Sequence, residues 1–358
     1  QAGEIQGGQL VDSRLGQVAE RLALHFAPRA RKLDGSLPTP ERAHELRHAR
    51  SPELAPRRQC RPGDHRGDAR APGLPAAGQR VVVRARVADP DGINNGTVVI
   101  RYRLDPTATY TLAPMFDNGV GNDLIAGDGI YSATIPGQAS GTLMAFYITA
   151  ADTLSATNQF PAEAPVRECL VRWGESTVAG TLGTYRLWVT AANVNTWTTR
   201  EKNANDPLDA TFVYGNSRVI YNVNTLYSGS PFHARTYNGP VGSFACDYEI
   251  NFNPDERFLG SEPFVLSAYD VVSGNFFFND DSAQVDLTGN WIARKLGQPY
   301  NYRRHIHVFV NGLRRGTVYD DAQQPNREVV AEFFPNDEAG QLRKIESWFE
   351  FADNAQDQ

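Results

Sequence analysis

The sequence predicts a multidomain, β-rich protein: an all-β sandwich followed by an α+β domain whose sheet is mainly antiparallel. Three observations carry this. From Arg80 onward, short runs of alternating apolar and polar residues recur between Gly, Pro and Asp turns, the rhythm of an antiparallel sandwich. One well-marked helix pattern, over residues 282–299, lies among the later strands, as in an α+β order. Residues 304–310 and 313–319 are β-branched and aromatic runs joined by Asn311-Gly312, a pair that tolerates φ > 0 at both central positions of a hairpin turn.

A chain of 358 residues has room for roughly two or three domains. Basic residues outnumber acidic ones in residues 1–78, and the remainder is acidic. An acidic folded part argues against a nucleic-acid surface, because phosphate binding needs a basic face. Lysine occurs only at Lys32, Lys202, Lys295 and Lys344, so any lysine-dependent mechanism has few candidates. Cys60, Cys169 and Cys246 are scattered, which gives neither a disulfide framework nor a zinc site. No apolar run is long enough for a membrane span. No signal peptide is visible, and the chain, which begins with Gln, reads as a fragment. Gly-x-Ser-x-Gly, HExxH and P-loop patterns are absent, which weakens hydrolase and NTPase readings.

In chain order, residues 1–50 read as a short helical segment. Val11, Leu15, Val18, Leu22 and Phe26 give helical spacing over residues 11–27, and Thr39-Pro40 can start a second helix. Residues 51–78, SPELAPRRQCRPGDHRGDARAPGLPAAG, are too poor in β-branched and aromatic residues to order themselves and read as a linker. Over residues 79–174, RVVVRARVADPDG, TVVIRYRLD, GIYSATIPG and TLMAFYITAAD read as strands. Val98, Ile100, Tyr102 and Leu104 share one face, as do Met144, Phe146, Ile148 and Ala150. This stretch resembles the Ig-like or fibronectin-type-III-like modules of bacterial surface proteins. Its Gly-rich loop clusters Asp117, Asn118, Asp123 and Asp128. Such oxygens suit calcium. The spacing is not that of an EF-hand, and Asp and Gly also serve as turn formers.

Residues 175–358 are mixed. TYRLWVT reads as a strand, Thr190 caps a short helix, and Gly215-Asn216 joins two strands. DYEINF and GSEPFVLSAYD add further strands, the helix follows with Gly297 and Pro299 ending it, and then the hairpin. Residues 326–334 read as a helix and QLRKIESWFEF as a strand. His305 and His307 alternate on one strand, a pattern that can ligate zinc, with Asp320 or Asp321 available across the hairpin.

The blocks NSRVIYNVNTLYSGSPF, RFLGSEPFVLSAYD, WIARKLGQPYNYRRHIHVFVNGLRRGTVYDDAQQPN and RKIESWFEF occur in this order. The set resembles the spore-coat-protein-H-like (CotH) kinase family over about residues 184–358. The resemblance implies a protein-kinase-like small lobe, ATP and magnesium as cofactors, and a Ser or Thr on a coat or surface protein as acceptor. It also implies an extracellular or envelope location in a bacterium.

Phosphoryl transfer asks for a cation on the phosphates, an acid to orient it, and metal-holding acids. By the resemblance, Lys344 is the first candidate cation and Asp286 the orienting acid, with Gly229 and Ser230 of the Ser-Gly-Ser block beside the nucleotide. Tyr319-Asp320-Asp321-Ala322 occupies the place of a kinase hinge. Cys246, Asp247 and Glu249 stand where the family carries basic residues. The family's catalytic aspartates are expected downstream of Gln358. The expectation is therefore an inactive fragment of a CotH-like kinase, or a non-catalytic extracellular binding or adhesion protein.

Overall fold

The computed structural model describes residues 22–25, 74–201, 204, 206–228, 238–243, 245–254, 256–259, 263–268 and 283–336. Strand β1, Leu22–His25, pairs in parallel with β2, Val81–Ala88, in the register Leu22 to Ala85. This corrects the helical expectation for those four residues. The open edge of β2 offers a ladder of backbone donors and acceptors, and satisfying it outweighs helical spacing. The rest of residues 11–27, the Thr39-Pro40 helix and most of the linker lie outside the described residues.

Six further strands follow: β3 Val99–Leu104, β4 Thr111–Pro114, β5 Ile130–Ile135, β6 Leu143–Ala151, β7 Thr157–Phe160 and β8 Cys169–Arg172. They form two sheets. One has the order β1-β2-β5, and the other β4-β3-β6, with β7 and β8 pairing successive stretches of β6. Alternation on β2 turns Val81, Val83, Ala85 and Val87 inward. Met144, Phe146, Ile148 and Ala150 of β6 are buried in the same core. Val98 and Ile100 are buried as the alternation predicts, with Tyr102 and Leu104 packed at its margin.

The next seven strands close on themselves. They are β9 Gly183–Trp188, β10 Leu208–Tyr214, β11 Arg218–Ser228, β12 Asp247–Asn251, β13 Pro263–Ala268, β14 Arg303–Val310 and β15 Leu313–Gln323. The barrel order is β10-β11-β12-β13-β15-β14-β9. Every pair is antiparallel except β14 with β9, which is parallel and aligns Ile306–Val310 with Gly183–Leu187. The expected antiparallel sheet is thus present and rolled into a barrel. Aromatic rings fill it, with Phe212, Phe252, Phe258 and Phe264 in mutual edge contacts.

Helix α1, Ala191–Thr199, begins where Thr190 Oγ1 accepts the Asn193 N–H at 3.2 Å. Its Trp197 lies 6.0 Å from the Tyr248 ring, against the barrel core. Helix α2, Val285–Lys295, packs on β14 and buries none of its residues. Gly297 has φ +69° and ends it as expected. Helix α3 covers Arg327–Phe333. The hairpin turn adopts φ +47° at Asn311 and +80° at Gly312. A Cβ on Gly312 would stand 2.3 Å from the tip of the Arg172 side chain, which would have to swing aside, so it is the positive φ that calls for glycine there.

The sheets and the barrel share one core. Trp188, Val213, Val219 and Tyr221 of the barrel strands belong to the cluster built on β2, β3 and β6. Arg167, just before β8, reaches over the barrel. It donates to Asn222 Oδ1 at 2.5 Å, Asn224 Oδ1 at 2.6 Å and the Val223 carbonyl at 3.3 Å. Asp209 accepts the Glu168 N–H at 2.7 Å, and Thr211 Oγ1 the Leu170 N–H at 3.0 Å. Because the core is continuous, the two parts should unfold together. Trp188→Ala should cost about 3–5 kcal/mol, the usual range for a buried tryptophan. Urea unfolding of that variant should keep a single transition for both parts, and two separated transitions would contradict the shared core.

Candidate functional site

A groove of about 840 Å³ opens where the sheets meet the barrel. Its walls come from the start of β6 (Thr142, Leu143), the end of β8 (Arg172), α1 (Val194, Asn195) and the hairpin turn (Asn311, Leu313). Its polar groups are largely bound to the protein itself. Arg172 donates to Glu175 at 2.7 Å, and Glu175 also accepts from Trp188 Nε1 at 3.1 Å. The Asp105 carboxylate pairs with Arg103 at 3.0 Å and takes the Ala191 N–H at 2.8 Å. Asn311 clasps Val189 through both of its backbone groups, at 2.9 and 2.8 Å. Leu143, Val194, Val241 and Leu313 supply apolar wall. Among the described residues no histidine or cysteine lines the groove, and its Ser140 hydroxyl donates to the Gly174 carbonyl. These walls can hold a ligand by shape and apolar contact, and among the described residues they pair no nucleophile with a base.

The second constellation is in the barrel. Residues 319–322 of β15 pair with 265–268 of β13 on one side and 303–306 of β14 on the other. Both backbone edges of the expected hinge stretch are therefore in the ladder. Asp321 points inward and is fully buried. It accepts from the Tyr185 hydroxyl and from Arg304 Nε at 2.8 Å. Burial pushes its carboxyl up from the ordinary value. Burial and the Asp321 charge drive the Tyr185 hydroxyl up as well. The Arg304 guanidinium also lies over the rings of Tyr185, Tyr214 and Tyr302, at 5.5–5.8 Å.

Asp320 points the other way. Arg303 bridges it to Asp286 at the start of α2, the second contact at 3.0 Å. The Asp286 carboxylate is thus held by an arginine of the neighbouring strand. Lys344, Gly229 and Ser230 lie outside the described residues. His305 bonds the Ala283 carbonyl and His307 faces Arg314. Ile306 and Val308 between and beside them are buried, so the two histidines share the other face of β14, where each imidazole serves a separate contact.

Asp117, Asp123 and Asp128 are brought together, with one oxygen of each within 4.8 Å of the others. Backbone donors already hold them. Asp117 accepts from Gly127, Asp128 and Gly129, Asp123 from Gly119, and Asp128 from Ile130. These bonds are the ones that turn-forming Asp residues make.

No protein-family model and no curated protein matches this chain.

Sequence reasoning missed Arg167 and Asp209. Asp209 stood in the open as an acid inside the apolar run LDATFVY, a position that demands a buried partner. Asp209 is 6% exposed, and burial raises it from 3.8 to about 7. The fold thus favours its protonated form. Its contribution is full below about pH 4 and is lost as pH rises through about 7. The melting temperature should fall between pH 5 and pH 8. Asp209→Asn keeps an acceptor for the Glu168 N–H and should flatten that fall in a pH series of thermal melts. An unchanged slope would show that Asp209 is not its source.

Proposed function

We propose that residues 79–174 are an Ig-like module of the bacterial surface-protein type. Residues 175–358 are proposed as the N-terminal part of a CotH-like kinase-fold protein. The parent would use ATP and magnesium to phosphorylate Ser or Thr on coat or surface proteins, in an extracellular or envelope setting. The chain itself is proposed to be a non-catalytic binding module for a surface protein partner. One observation carries the non-catalytic reading. The backbone that would have to read adenine, residues 319–322, is hydrogen-bonded on both sides within the barrel. The acids around it are held by Arg303 and Arg304, so they are poor metal ligands.

Two features support the kinase-like ancestry. A helix stands between β13 and the hairpin, and its first-turn acid reaches the sheet through Arg303. The groove between sheets and barrel supports binding, since its walls are part apolar.

Calorimetry with ATP and with a non-hydrolysable analogue, with and without magnesium, tests the reading. No binding heat in the micromolar range and no transfer of labelled γ-phosphate are expected. Magnesium-dependent binding or turnover would overturn it.

A further inference from the structure

Two apolar surfaces of this chain are exposed, and they carry opposite charge. The first is the loop between β4 and β5. Phe116, Val120, Leu124 and Ile125 stand 46–70% exposed there, around the Asp117–Asp123–Asp128 cluster. No lysine or arginine pairs with these three acids among the described residues. The loop is pre-set by its own bonds, including Asn122 to Thr134 at 2.6 Å and Arg84 to the Asn122 carbonyl at 2.9 Å. A partner would spend little free energy ordering it.

The second surface is α2. Val285, Ile292 and Leu296 are 66%, 46% and 70% exposed, and at about 100° per residue they fall within about 40° of one another. Trp291, 59% exposed, flanks them. Lys295 borders this face and sits over the Trp291 ring at 5.5 Å, while Arg294 lies on the opposite side of the helix, over Tyr300. The acid of this helix, Asp286, is already paired with Arg303. Large exposed apolar clusters on both parts of one chain mark contact surfaces. Both are exposed in the single chain, so neither covers the other within it.

We propose that the acidic apolar β4–β5 loop of one copy docks on the basic apolar face of α2 of a second copy. The inference deepens the binding-module reading by naming a second copy as the partner. Charge complementarity selects this pairing, because two loop tips would repel and two α2 faces would place cations together. The contact joins different surfaces of identical chains. It is therefore heterologous and builds rings or open strings rather than a closed pair.

Sedimentation velocity of the full chain over a range of concentrations tests this, and its readout is independent of any nucleotide result. The chain should form species larger than dimers, weakened by high salt. Val120→Asp/Ile125→Asp should be monomeric, and so should Ile292→Asp/Leu296→Asp. Mixed in equal amounts, the two variants should form dimers and nothing larger, since each keeps one intact surface. Leu154→Asp, exposed elsewhere on the sheets, should assemble like the parent chain. All substituted positions are exposed, and circular dichroism checks that the fold is kept. A parent chain that stays monomeric, a variant that still assembles, or a mixture that stays monomeric would each overturn the proposal.

Discussion

The double pairing of β9 is the constraint on which the rest of this structure depends. Its residues 185–188 run antiparallel to β10, and its residues 183–187 run parallel to β14. With both edges used, the barrel has no open ladder, which removes the cost and the aggregation risk of a free edge. Closure also fixes what lies at the end of β9. Val189 is clasped by Asn311 of the hairpin turn, and the turn rests on Arg172 of β8. The same strand turns Tyr185 inward to Asp321 and sends Trp188 into the core shared with the sheets. One strand therefore sets the barrel interior, the joint and a wall of the groove.

Much of this was legible in the sequence, and the limits have physical causes. Local signals held. Asn311-Gly312 made the turn, Thr190 capped α1, Gly297 ended α2, and the alternation of β2 and β6 picked the buried faces. Short strands were missed. β4 (TLAP) and β7 (TNQF) have four residues each and no alternating apolar face, so pairing with their neighbours makes them strands. Barrel closure was invisible for a different reason. The parallel match of β9 with β14 joins residues 183–187 to 306–310, and periodicity within a segment carries no information on which distant segment it meets.

The joint between sheets and barrel shows the same division. Arg167 looks like any loop arginine in the sequence. Its meaning comes from the carbonyl of Val223 and the side chains of Asn222 and Asn224 converging on it, with Asn222 at φ +55°. An asparagine tolerates that backbone better than most residues. Asp209, 3.3 Å from Arg167, is the reciprocal case. An acid in an apolar strand could be flagged from sequence, yet its partner could not be named.

The acid pair Asp320-Asp321 is divided between the two faces of β15. In a strand, consecutive side chains leave on opposite faces. Asp321 turns into the barrel, to Tyr185 and Arg304, while Asp320 turns out, to Arg303 and the start of α2. A metal site for phosphoryl transfer needs acids that converge on one ion. Here strand geometry drives them apart, and each meets an arginine before it could meet a cation. Moving either acid into a shared site would shift the register of β15 by one residue. That shift would turn Tyr319 out of the core and break the ladders to β13 and β14 together. The two carboxylates are thus committed to holding the barrel.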